Sequence, residues 1–218
     1  MGDTVRLVVG NDASSIRMTM AKATKTPPES REMTPEERAA RLRAYEDVVR
    51  ERIAKWKVEQ ADLIRELAQE GVDVELVQDL MNRPNNYVHV LPILAKHLQR
   101  SYSQLTQEAI SRSMAMREAH PYWDLFARLY RALPPTNPAE QGQPEDGLAV
   151  ALSFSMPKEK LLEMIDLVSD PHFGPSRVLL IQALRRSRDP RAAEAIERLR
   201  DDPGLSKEIA TWRRRKKR

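Results

Sequence analysis

The sequence contains no cysteine. Disulfides, Cys-ligated zinc and thiol catalysis are therefore excluded. Glycine is scarce, with seven in the whole chain, and aromatic residues make up only 5%. All-β sandwiches draw on more of both for their turns and strands. The scattered glycines form no GxxxxGK(S/T), GxGxxG or GxSxG pattern. With no glycine-rich cradle for phosphates, nucleotide chemistry is not expected, nor is any cofactor. Histidine is equally thin: His89, His97, His120 and His172. The first two are eight residues apart and do not form the i, i+4 pair of a helical metal site. The other two flank prolines and read as turn residues, so no metal centre is expected. No run approaches the roughly 20 apolar residues of a membrane helix. Residues 1–20 carry Asp3, Arg6, Asp12 and Arg17 and hold no uninterrupted apolar core, so they do not read as a signal peptide. The expectation is a cytoplasmic protein.

What is present is charge and aliphatic bulk. Charged residues are 31% of the 218 positions and hydrophobic residues 41%. That balance suits two-layer helical packing with a large wetted surface. The net charge is +4, but the last six residues, Arg213, Arg214, Arg215, Lys216, Lys217 and Arg218, are all basic; without them residues 1–212 carry −2. The high isoelectric point belongs to the tail, whereas a nucleic-acid-binding body is expected to carry its own basic stripe.

Residues 1–33 show little pattern beyond a candidate short strand at Val5–Val9 and a proline-containing linker around Pro27 and Pro28. Thr34, Pro35 and Glu37 then form a capping-box signature, which predicts a helix running to a stop at Gly71. Leu42, Val49, Trp56 and Leu63 repeat every seven residues, and Tyr45, Ile53 and Leu67 fill the adjoining stripe. Two readings follow: a long helix packed along the rest of the domain, or a homodimer through the heptad-like helix at 42–67. From Val72 the pattern changes to short amphipathic segments punctuated by proline, with one long loop from Pro134 to Asp146.

First-helix cores fall near Ile93, Leu125, Ile165 and Ile196, at spacings of 31 to 40 residues. That period signals an α-solenoid. The stretch Arg177–Leu199, RVLLIQALRRSRDPRAAEAIERL, resembles a HEAT repeat: a helix with Val178, Leu179, Ala183 and Leu184, an Asp189-Pro190 turn, then a helix with Ala192, Ala195 and Ile196. Asp170-Pro171 and Asp202-Pro203 repeat the punctuation, and His89–Ala115 reads as an earlier copy. The predicted fold is all-α: a short right-handed solenoid of HEAT-like helix pairs over residues 72–212, preceded by the long helix at 34–71, with a flexible segment at 1–33 and a basic tail at 213–218. Trp56 and Trp212 are expected to cover its two ends.

The resemblance implies a non-enzymatic scaffold that binds another protein through the concave face lined by second helices. On that face the polar candidates are Gln104, Gln107, Arg112, Arg177, Gln182, Arg185 and Arg186. The alternative is a nucleic-acid-binding protein that uses the tail residues, as phosphate contacts, together with the Arg177/Arg185/Arg186 side. Should the source be eukaryotic, the tail also reads as a nuclear-targeting run. Small HEAT-like DNA glycosylases share the architecture at this length. However, Trp123, Phe126 and Tyr130 are spaced as a buried stripe rather than as base-stacking aromatics. Glu159, Glu163 and Asp166 read as the solvated face of a helix rather than a general acid–base pair.

Overall fold

The computed structural model describes residues 34–83, 86–133 and 142–216. The expectations for residues 1–33, for Lys217 and Arg218, and for most of the 134–146 loop lie outside the described residues. Among the described residues the protein is helical throughout, with no strand, and no helix is long and apolar enough to cross a membrane. The helices are α1 (Pro35–Glu59), α2 (Ala61–Gln69), α3 (Leu91–Leu98), α4 (Gln104–Ser113), α5 (Trp123–Ala132), α6 (Pro144–Ser155), α7 (Leu161–Ser169), α8 (Arg177–Arg186), α9 (Pro190–Arg198) and α10 (Ser206–Lys216). Short 3-10 turns lead into α3, α5, α7 and α8. The chain divides into two compact units, Met1–Ile53 and Ala54–Arg218.

In the first unit, α1 begins as its sequence signature requires. The Glu37 amide donates to Thr34 Oγ1 at 3.2 Å and the Thr34 amide to Glu37 Oε2 at 2.8 Å. Both ends of the capping box are therefore closed, and two otherwise orphaned N–H groups are satisfied. No residue of α1 is buried: Leu42 is 58% exposed and Tyr45 46%. The heptad-like stripe is thus not one continuous seam, because only its later members Leu63 and Leu67, on α2, enter a core.

The expected single helix is also interrupted at Gln60, in the second unit. Gln60 is fully buried; its Oε1 accepts from the Val77 amide at 2.9 Å and its Nε2 donates to Thr106 Oγ1 at 3.1 Å. A buried amide has to find such partners, and these tie α2 to α4 and to the turn at Val77–Asn82. The stop at Gly71 is a Schellman motif: the Gly71 amide donates to the Ala68 carbonyl and the Val72 amide to that of Leu67, each at 3.0 Å, with Gly71 at φ +77°.

From α3 onward the helices alternate in their neighbours. α4 packs on α6 and α6 on α8, while α3, α5 and α7 each pack on the helix that follows, and α9 packs on α7 and α8. Ile93, Leu125, Ile165 and Ile196 lie on α3, α5, α7 and α9. α6 sits between α4, α5 and α8 and is built from small residues where it is most crowded. A Cβ on Gly147 would lie 2.7 Å from the Glu108 carbonyl oxygen and 2.9 Å from Glu108 Cα. The α5 stripe is core as its spacing predicts: Trp123, Phe126 and Tyr130 are at most 2% exposed. Trp123 Nε1 donates to the Leu152 carbonyl at 3.2 Å, and Tyr130 Oη lies 2.5 Å from Ser176 Oγ. Burial pushes the Tyr130 phenol up to about 12.

The Asp-Pro pairs act through one device. Asp170 accepts from the His172 amide and Asp189 from the Arg191 amide, both at 2.9 Å, and Asp202 from the Gly204 amide at 2.8 Å. In each case the carboxylate closes a turn two residues ahead, while the proline pre-sets the backbone that follows. The loop expected to reach Asp146 ends sooner, because Pro144 is the first residue of α6, where its missing N–H costs nothing.

Candidate functional site

The functional residues expected from the sequence separate into three environments. The first is interior. Arg177 is 3% exposed, and its guanidinium makes four hydrogen bonds: 2.7 and 3.1 Å to the two Asp202 oxygens, 3.1 Å to the Val168 carbonyl and 3.4 Å to that of Gly174. Its hydrogen bonds hold the Asp202 carboxyl below the ordinary carboxylate range, against burial. Arg177 is therefore not a surface contact for any partner; it clamps the start of α8 to the turn before α10. Gln104 is half-buried, and its Oε1 is enclosed without a hydrogen-bond partner.

The second environment is a self-satisfied surface. Arg112 donates through Nε to Glu108 Oε1 at 2.8 Å, and Gln107 reaches the Arg100 carbonyl at 3.4 Å. Both stand on α4; the charge of Arg112 is compensated by Glu108, and the Gln107 amide is hydrogen-bonded to backbone.

The third environment lies at the C-terminal end of α8 and brings three of the expected residues together with four that were not expected in a binding site, Ser153, Phe154, Glu208 and Trp212. Arg186 turns toward α6, where its guanidinium donates to the Ser153 carbonyl at 2.6 Å and to Ser153 Oγ at 2.8 Å. It also lies 4.8 Å from the centroid of the Phe154 ring. Arg185 turns the other way and stacks 4.9 Å from the ring centroid of Trp212 on α10. Glu208 orients this second stack: its Oε1 accepts from Trp212 Nε1 at 2.8 Å and from Gln182 Nε2 at 2.9 Å. The result is a strip, Phe154–Arg186–Arg185–Trp212, in which each guanidinium lies over an aromatic ring at cation–π distance. Arg186 is depressed from its ordinary value by burial alone, with no carboxylate acting on it. Phe154 is 55% exposed.

Phe154 was legible in principle. Leu148, Ala151, Leu152 and Ser155 are buried, so at 3.6 residues per turn Val150 and Phe154 fall on the opposite face of α6. Trp212 is half-buried against Arg185, where the sequence reading had it covering one end of the domain. Of the basic tail, Arg213, Arg214, Arg215 and Lys216 belong to α10, so the run follows directly from Trp212.

A separate polar cluster lies between α2 and α3. The His97 side chain is completely buried, with Nδ1 2.6 Å from Tyr102 Oη. Its Nε2 is 3.3 Å from Glu66 Oε1, within ion-pair reach though out of hydrogen-bond alignment. Lys96 donates to both Glu66 oxygens at 2.8 Å. Burial holds the imidazole below its ordinary value, against the pull of Glu66. Among the described residues no group of His, Cys, Asp and Glu is arranged to hold a metal ion. No family model, curated protein or solved structure matches the chain.

Proposed function

We propose that this protein is a non-enzymatic interaction scaffold: a short HEAT-like solenoid that docks another protein on the free face of its inner helix row. One observation carries the reading. α4, α6 and α8 pack in succession, and α5 and α7 each pack against one member of that row. Such stacking of second helices beside first helices is how helical repeats build an extended binding surface.

The composition of the row's free face supports the same reading. Val150 and Leu179 are half-exposed and Phe154 is exposed, and the same helices carry the polar Gln107, Arg112, Gln182 and Arg186. An apolar centre with a polar rim is the usual anatomy of a protein–protein interface.

The experiment is site-specific photo-crosslinking in the native host. A photoreactive side chain at position 150 is expected to yield discrete protein adducts. The same group at Glu194, exposed on α9, which is not a member of the row, should yield none. Adducts from both positions alike, or from neither, would refute the proposal.

A further inference from the structure

The arginines of the strip at the end of α8 differ from those that the fold pairs with carboxylates. Arg65, Arg131, Arg191 and Arg200 each have a carboxylate between 2.5 and 2.8 Å away, as do the interior Arg177 and the α4 residue Arg112. Arg185 and Arg186 have aromatic faces and carbonyl or hydroxyl oxygens instead. A guanidinium can carry five N–H donors in a rigid fork that matches a carboxylate. A cation–π contact engages the face of the guanidinium and does not consume its N–H donors. Arg186 spends one nitrogen on Ser153. Its desolvation is unrepaid by any counter-charge among the described residues.

We infer that the strip Phe154–Arg186–Arg185–Trp212 is the docking site for a short acidic segment of the partner protein, whose carboxylates take the two guanidinium edges and whose apolar side chain covers Phe154. This deepens the scaffold reading and rests on it.

Charge fixes the class of occupant. In sequence, Arg188 follows Arg185 and Arg186, and the basic run Arg213–Arg218 follows Trp212, so the segments that form the strip are rich in cations. This excess is also bounded: the row further carries Glu108 on α4, paired with Arg112, and the acidic residues Glu145 and Asp146 in the first turn of α6. A long polyanion laid along the row would meet those carboxylates, and residues 1–212 carry −2 overall. A segment of a few residues over the strip meets Arg185 and Arg186, beside Glu208, whose Oε1 is already taken up by Trp212 and Gln182. The exposed Phe154 ring adds a demand that charge alone does not make, for an apolar side chain beside the acids.

The test is fluorescence polarisation on the full chain. The probe is a labelled peptide of about 12 residues, alternating Asp and Glu around a central Leu, at about 50 mM salt where exposed charges are weakly screened. Saturable binding is expected, weakened on the order of tenfold by Arg185→Ala and by Phe154→Ala, and absent for the Asn/Gln version of the peptide. Both substituted side chains are exposed, and thermal melts of the variants should match the parent.

Three results would overturn the inference. The acidic peptide does not bind; or it binds with unchanged affinity to both variants and is lost only on deleting residues 213–218; or a single-stranded oligonucleotide of equal charge displaces it at lower concentration than the peptide itself. Adducts at position 150 with failure of the peptide would remove this inference alone. Failure of both would remove the scaffold reading with it.

Discussion

Gly147 offers a direct measure of how closely the inner helices approach. Replacing it with alanine adds one methyl group in the middle of α6. In an unconstrained helix that change stabilises by about 0.5–1 kcal/mol, because glycine loses more backbone entropy on folding. Here the new carbon would sit 2.7 Å from the Glu108 carbonyl oxygen, 2.9 Å from Glu108 Cα and 3.1 Å from Ser111 Cβ. Comfortable carbon contacts are about 3.5–4.0 Å, so α4 and α6 must separate by something approaching 1 Å. Two of the three obstructing atoms are backbone, and no rotamer change relieves them. A shift of that size forfeits a quarter to a half of each dispersion contact across the interface, where Ala109, Ile110, Leu148 and Ala151 are buried. Overpacking of this kind costs about 1–3 kcal/mol. Set against the propensity gain, the net expectation is a loss of about 1–2 kcal/mol, or roughly 2–8 °C in Tm for a chain of this length. Urea unfolding followed by far-UV circular dichroism measures it. The order of stability should be Gly, then Ala, then Val at position 147. Propensity alone would place Ala first, and an alanine variant as stable as the parent or more so would refute the close approach.

Four other outcomes follow from the same contacts. Arg177→Met leaves Asp202 charged and largely enclosed; the loss should be about 3–5 kcal/mol, and combining it with Asp202→Asn should recover part of that, read from a double-mutant cycle in urea. The depressed Asp202 carboxyl stabilises the fold above its unfolded value, and that contribution is lost as pH falls through its lower folded value, so Asp202→Asn should flatten the acid end of the stability curve below about pH 4. His97 has the opposite origin but the same sign. Burial lowers its folded value, so below about pH 6.5 the unfolded chain takes up a proton that the folded chain resists, and stability falls with pH; His97→Gln should remove that slope, whereas an unchanged slope would assign it elsewhere. Thr34→Ala opens the capping box and should cost about 1 kcal/mol locally, visible as faster hydrogen exchange in the first turn of α1.

Local signals in the sequence were read correctly where one short-range contact decides the outcome. Thr34 with Glu37, Gly71, and the three Asp-Pro turns each bond to groups within five residues, so spacing alone predicts them. The positions of α3, α5, α7 and α9 were legible because the apolar period of each is strong. What escaped was settled by partners far along the chain. The burial of Gln60 depends on Val77 and Thr106, 17 and 46 residues on. The stripe on α1 reads as a seam because its period is right, yet Leu42 and Tyr45 remain exposed while Leu63 and Leu67 are fully buried. Periodicity says which residues share a face, not whether a neighbour arrives to cover it.

The arginines show the same point and bear on function. Arg112 stands on α4 and Arg177 and Arg186 on α8, and residue type alone does not distinguish them. Glu108, one turn before Arg112, compensates it locally. Asp202, 25 residues beyond Arg177, draws it into the interior. Arg186 meets Ser153 and Phe154 from α6, which supply a carbonyl, a hydroxyl and a ring but no charge. Whether an arginine is structural or free to bind thus depends on which carboxylate the fold brings within reach. A basic tail at one end of the sequence draws attention first because its charge is dense. The pair Arg185 and Arg186 is the more specific feature, since their orientation is already fixed by Trp212 and Phe154 before a partner arrives. Ordering two free arginines at an interface costs on the order of 0.5–1.5 kcal/mol each, and that cost has been met within the fold.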